Sequence, residues 1–141
     1  MIEDAAASLG RLMIAVLFLH EAWSKVSAYA PAAAYMRAFG VPEELLPFAI
    51  ALEFGCGLLI LIGFQTRAAA LLLAGFCIAA AVLFHNRFGD RNQLLHFGKD
   101  LAIAGGLLIL FAHGAGRFAV DALVDTRLVI AGVAKQSRLC G

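Results

Sequence analysis

The stretch LLPFAIALEFGCGLLILIGF, residues 45–64, decides the fold. A helix of about 20 residues crosses the ~30 Å hydrocarbon core of a bilayer, and this run reaches that length with Glu53 as its one charge. Working outward, apolar runs of similar length recur at 9–26, 68–85 and 94–112. The chain is 62% hydrophobic and 15% charged, with a mean hydropathy of +0.88, which is too apolar for a soluble surface. Its net charge is +1, and no basic run interleaved with aromatics tracks a phosphate backbone. Nucleic acid is therefore not an expected partner; the lipid bilayer is.

The expected architecture is all-α, a single membrane domain over 1–141 built as an integral four-helix bundle running up-down-up-down. Gly63-Phe64-Gln65-Thr66-Arg67 is too short a connection for anything but antiparallel neighbours. Pro31 and Pro42 bracket a short interfacial helix closed by Gly40. Asp90 and Gln93 have the spacing of a reciprocal cap at the start of the fourth run. His20 and Glu21 interrupt what would be a signal-peptide core, so the first run is expected to be a retained span. Beyond Gly116, Asp121, Asp125 and Arg127 punctuate the apolar positions, and 117–134 is expected to lie on the membrane as a C-terminal amphipathic helix. The glycines at 55, 57, 63, 75, 105 and 106 read as helix-packing contacts, and Trp23 and Tyr29 as interfacial anchors.

Alternating helix directions bring the ionisable residues together. If the N-terminus marks side A, then His20, Glu21, Lys25, His85, His96, Lys99 and Asp100 gather at side B. Glu53 lies eight residues into its span from that side. A carboxylate at membrane depth costs several kcal/mol unless it is compensated. Glu21 and Lys25 are spaced i,i+4, as are His96 and Asp100, so compensation within helices is available. Glu21, Glu53 and Asp100 against Lys25 and Lys99 leave one negative charge, which one protonated group would cancel.

The cluster admits three readings: structural ion pairs that fix helix register, a pocket for a small polar or quinone-like ligand, or a metal site. The third, from His20, His85, His96 and Glu53, is the weakest, because no HxxxH or HxxE pair supplies two ligands from one helix face. Cys56 and Cys77 fall inside spans two and three. They read as small buried hydrophobes, with a redox pair as the alternative.

Several segments resemble the DoxX family of small four-span bacterial membrane proteins. They are Phe18-Leu19-His20-Glu21-Ala22-Trp23-Ser24-Lys25, Glu53-Phe54-Gly55-Cys56-Gly57, Phe84-His85-Asn86, His96-Phe97-Gly98-Lys99-Asp100 and the closing Gly116-Arg117-Phe118-Ala119-Val120-Asp121. The resemblance covers roughly residues 11–121 and puts the family's lysine, glutamate and lysine at Lys25, Glu53 and Lys99. It implies a bacterial inner membrane location and a role in membrane redox, sulfur or oxidative-stress systems, with quinone as the ligand class and redox enzymes as partner proteins. Relatives commonly carry Asn in place of Asp100 and uncharged residues around His20 and Glu21, so this cluster is more titratable than the family pattern. No flavin, haem or nicotinamide fingerprint is present. A redox role would therefore run through quinone, the cysteines or a partner. Side A carries six Lys and Arg residues and side B five, and setting aside Lys25 and Lys99 as pocket residues places both termini in the cytoplasm.

Overall fold

The computed structural model describes residues 2–86, 88–117 and 119–123. The described residues are helical and contain no strand. They form α1 (Ile2–Ser27), α2 (Tyr29–Ala38), α3 (Leu46–Ile62), α4 (Thr66–Phe84) and α5 (Arg91–His113), with a 3-10 turn at Glu43–Leu45 before α3. With that turn included, α3, α4 and α5 are long and apolar enough to cross a membrane. α1 is longer than any of them but carries Arg11, Glu21 and Lys25, so its status rests on more than length and apolarity. Of the helix expected over 117–134, the part beyond Leu123 lies outside the described residues, as does Cys140.

Local chemistry sets the breaks. α1 would run on into α2 but for Pro31, whose missing N–H cannot bond the Ser27 carbonyl and whose ring crowds it. The chain kinks at Ala28 and restarts with Pro31 in the first turn of α2, where a missing N–H costs nothing. Gly40, at φ +72°, closes that helix: its N–H bonds Arg37 O, and Val41 N–H bonds Met36 O. Gly63, at φ +71°, ends α3 in the same way, with Phe64 N–H on Leu59 O. At α5 the expected reciprocal cap is only half made. Asp90 accepts from Asn92 N–H at 2.8 Å, but Gln93 turns away to His85.

α1 packs on α3, α3 on α4 and α4 on α5, while α1 touches α5 only sparsely. One core joins Ala15 and Phe18 of α1, Cys56 and Ile60 of α3, Leu73 and Cys77 of α4, and Ala104 and Leu107 of α5. These residues lie mostly in the halves of the helices nearest side A. Of the glycines expected at packing contacts, Gly57 is one: a Cβ there would come within 3.3 Å of Leu19. Gly63 is another, while Gly55, Gly75 and Gly105 face open space and Gly106 would meet Ile14 only at 3.8 Å, so the small-residue signal overstates how closely α3, α4 and α5 approach elsewhere. Trp23 and Tyr29 are exposed at the side B end, as anchors would be.

The side A end is closed by the chain after α5. Arg11 is buried and donates from Nη1 to Ala115 O at 3.0 Å. Asp121 accepts from the N–H groups of Gln65 and Thr66 at 2.8 and 3.0 Å, and its own N–H bonds Gly63 O at 2.8 Å. A carboxylate from 55 residues away thus caps the start of α4, where free N–H groups and the helix dipole favour negative charge.

Candidate functional site

At side B the same helices diverge around a cavity of about 790 Å³. Its apolar wall includes Phe18, Leu52, Phe76, Leu83 and Ile103. α2 lies across it with Tyr35 and Met36 in the lining, held by ring contacts of Tyr35 with Phe39 and Phe84 at 4.8 and 5.6 Å. Ala33, Met36, Val41 and Leu46 form a small core of their own beneath this strap. Arg37 and Glu43 pair on its outer surface.

Two polar poles face the cavity. The first joins α1 to α3. Glu53 is only 3% exposed, and Lys25 Nζ sits 2.9 Å from each of its carboxylate oxygens, with hydrogen-bond alignment at Oε1 and not at Oε2. Lys25 also reaches Glu21 Oε2 at 3.4 Å across one helical turn. Glu53 reaches α1 because Gly57, one turn further along α3, lets the two helices approach closely.

The second pole joins α4 to α5. His85 and His96 stack with ring centroids 5.1 Å apart, and His85 Nε2 lies 3.7 Å from Asp100 Oδ2. Gln93 Oε1 is 2.9 Å from His85 Nδ1 and can only accept, so Nδ1 carries the proton. Nε2 therefore forms an ion pair with Asp100 only when the imidazole is charged. Asp100 pairs across helices with His85 rather than along its own helix with His96, contrary to the expectation from spacing.

Seven of the eight residues singled out from sequence line this cavity: Glu21, Lys25, Glu53, His85, His96, Lys99 and Asp100. His20 does not; it is exposed on α1, one residue before Glu21 and so turned away from it. Cys56 and Cys77 are both buried free thiols in the main core, and of the two only Cys77 reaches the cavity wall. Among the described residues no group of three His, Cys, Asp or Glu side chains could hold a metal ion. Sequence reasoning missed Asn92, Gln93 and the α2 residues in the lining, as well as the Arg11 and Asp121 contacts at the opposite end. Gln93 was hidden by its spacing to Asp90, which mimics a cap. The signal for Asp121 was its place in the closing Gly116–Asp121 segment, read as part of the family resemblance and as a break in apolarity but not as a helix cap.

The DoxX family profile matches residues 6–86, from α1 through the end of α4. This chain belongs to the DoxX family. It is 42% identical over 126 residues to the inner membrane protein YqjF of Escherichia coli K12, a match covering 89% of this chain and 97% of YqjF. It is 28% identical over 120 residues to the inner membrane protein YphA of the same organism, covering 80% of this chain and 86% of YphA. No solved structure matches this DoxX protein. The profile holds Lys25 and Glu53 together with His85, whereas Lys99 and Asp100 lie beyond it on α5.

Proposed function

We propose that this DoxX-family inner membrane protein crosses the bilayer four times, α1 included, with both termini in the cytoplasm. Its side B cavity binds a small ligand of the quinone class within a membrane redox or oxidative-stress system. A fourth span is consistent with Lys25 and Glu21 facing the cavity and one another, while Val16, Met13 and Leu12 are exposed as lipid-facing residues would be. The observation that carries the pocket reading is a cavity of about 790 Å³, in the range of small-molecule sites, mostly apolar with two polar poles. A ring with polar substituents and an apolar tail has that distribution of chemistry. Redox-enzyme partners are the route by which electrons would leave or arrive.

The competing reading makes the cluster a purely structural clasp in an assembly module, with partner proteins docking on the segment from Tyr35 to Glu44 or on the C-terminal region. It draws on the close Lys25–Glu53 pair, which compensates an otherwise costly buried charge. The Glu53→Gln variant, purified in lipid nanodiscs, separates the two. The pocket reading expects normal yield and helicity with binding of the hydroxyl-bearing, reduced member of the quinone class at least about tenfold weaker, the loss of one charge-assisted hydrogen bond. Failure to fold, or a wild-type protein that binds no quinone-class compound, supports the clasp.

A further inference from the structure

We propose that the first polar pole selects a hydroxyl group, so that of a quinone and quinol couple the cavity takes the quinol. This rests on the pocket reading above and adds which redox form is held, and by which atoms. The argument is one of unfilled hydrogen-bonding capacity. An ionised carboxylate offers about four acceptor positions and no donor. Glu53 is only 3% exposed, yet among the described residues it receives a single aligned hydrogen bond, from Lys25 to Oε1; Oε2, 2.9 Å from Lys25 Nζ, receives none and is fully buried, so a ligand reaches it only as the lining side chains give way. Lys25 in turn has three N–H donors. One goes to Glu53 and one, at 3.4 Å, to Glu21, which leaves the third without a partner among the described residues.

A buried carboxylate with spare acceptors beside an ammonium with a spare donor calls for a group that donates and accepts at once. A phenolic or quinol hydroxyl does both: its O–H goes to Glu53 and its lone pair takes the remaining Lys25 N–H. A quinone carbonyl only accepts, so it would satisfy Lys25 and set a second electron-rich oxygen beside Glu53. An amine cation only donates, so it would satisfy Glu53 and face the Lys25 charge. The surrounding wall fits a ring in either oxidation state, since Phe18, Leu52 and Phe76 are apolar and indifferent to it. At this pole the discrimination therefore comes from the Lys25–Glu53 pair. No electron transfer is required for it.

The test compares three ligands of one shape: duroquinol, duroquinone and the dimethyl ether of duroquinol, which keeps the ring oxygens but has no O–H. Binding to the full chain in nanodiscs is measured anaerobically by calorimetry. Duroquinol is expected to bind at least about tenfold tighter than either of the others, the value of one hydrogen bond to a charged group. In Glu53→Gln the ratio falls to about one, because the amide can donate to a carbonyl as well as accept from a hydroxyl. Measurable binding of all three with equal affinity, or a preference for duroquinone, overturns the hydroxyl inference while the pocket reading stands. Binding of none of them removes both. The wild-type comparison decides the matter even if the Gln variant does not fold.

Discussion

The two ends of this molecule use charge in opposite ways. At side A, Arg11 and Asp121 bond backbone groups: a carbonyl after α5 and two amides at the start of α4. At side B, Lys25, Glu53, His85 and Asp100 bond other side chains across helix pairs. Backbone groups at helix ends are fixed in place, so charges that satisfy them draw the ends together. Side-chain pairs tolerate separation, and a cavity stands between them. The difference teaches that in this molecule the ends of the helices meet where a charge is partnered by main chain and stand apart where it is partnered by side chain.

The sharpest way to break this contrast is Lys25→Met. It leaves Glu53 buried without its one partner, and loss of about 3–5 kcal/mol is expected, read as a lowered thermal midpoint in detergent. The double variant Lys25→Met with Glu53→Leu should recover most of that loss, because two apolar groups replace a pair rather than orphan a charge. If the double variant is as unstable as the single, side B is a structural lock like side A and the contrast fails.

Gly63→Ala probes the closed end and comes next in size. The added methyl would lie 2.5 Å from the Ala119 Cβ and crowd the Arg11 guanidinium, at a residue already at φ +71°. Strain and overpacking together predict about 3 kcal/mol of destabilisation in the same assay. Asp121→Ala should cost less, about 1–2 kcal/mol, the value of a helix cap. It should also speed amide hydrogen exchange at Gln65 and Thr66 while leaving the side B residues unchanged. The smallest effect on stability is expected for Ala49→Phe, which fills cavity space from α3 one helical turn before Glu53. Its thermal midpoint should stay within about 1 kcal/mol of wild type while quinone-class binding is lost, and retained binding would mean that the ligand sits elsewhere.

Much of the architecture was legible because it follows from local rules. Residues 45–64 announce a spanning helix through length and apolarity, Gly40 and Gly63 mark helix ends, and the short turn before Thr66 forces α3 and α4 to run antiparallel. The candidate site was legible in outline, since helix direction alone puts Glu53, Lys25, His85 and Asp100 toward one end. His20 falls outside the cavity because the face of α1 turned inward carries Phe18, Glu21 and Lys25, and a turn of about 100° per residue puts His20 to the side of that face. The partners were less legible. Asp100 meets His85 rather than His96, and Gln93 meets His85 rather than the helix cap, because contacts between helices depend on rotation and separation that spacing along one helix does not encode.

By itself, then, the sequence determined that this is a helical membrane chain of the DoxX family with a costly carboxylate at residue 53, because transfer energies and helix periodicity act on each residue in turn. Tertiary structure decided that Arg11 and Asp121 seal one end and that the other encloses a cavity. It also decided that Lys25 is the residue that meets Glu53. Those outcomes depend on how α1, α3, α4 and α5 rotate and splay against one another. The packed core near side A, tight at Gly57 and at Gly63, and the smaller core beneath α2 set that arrangement.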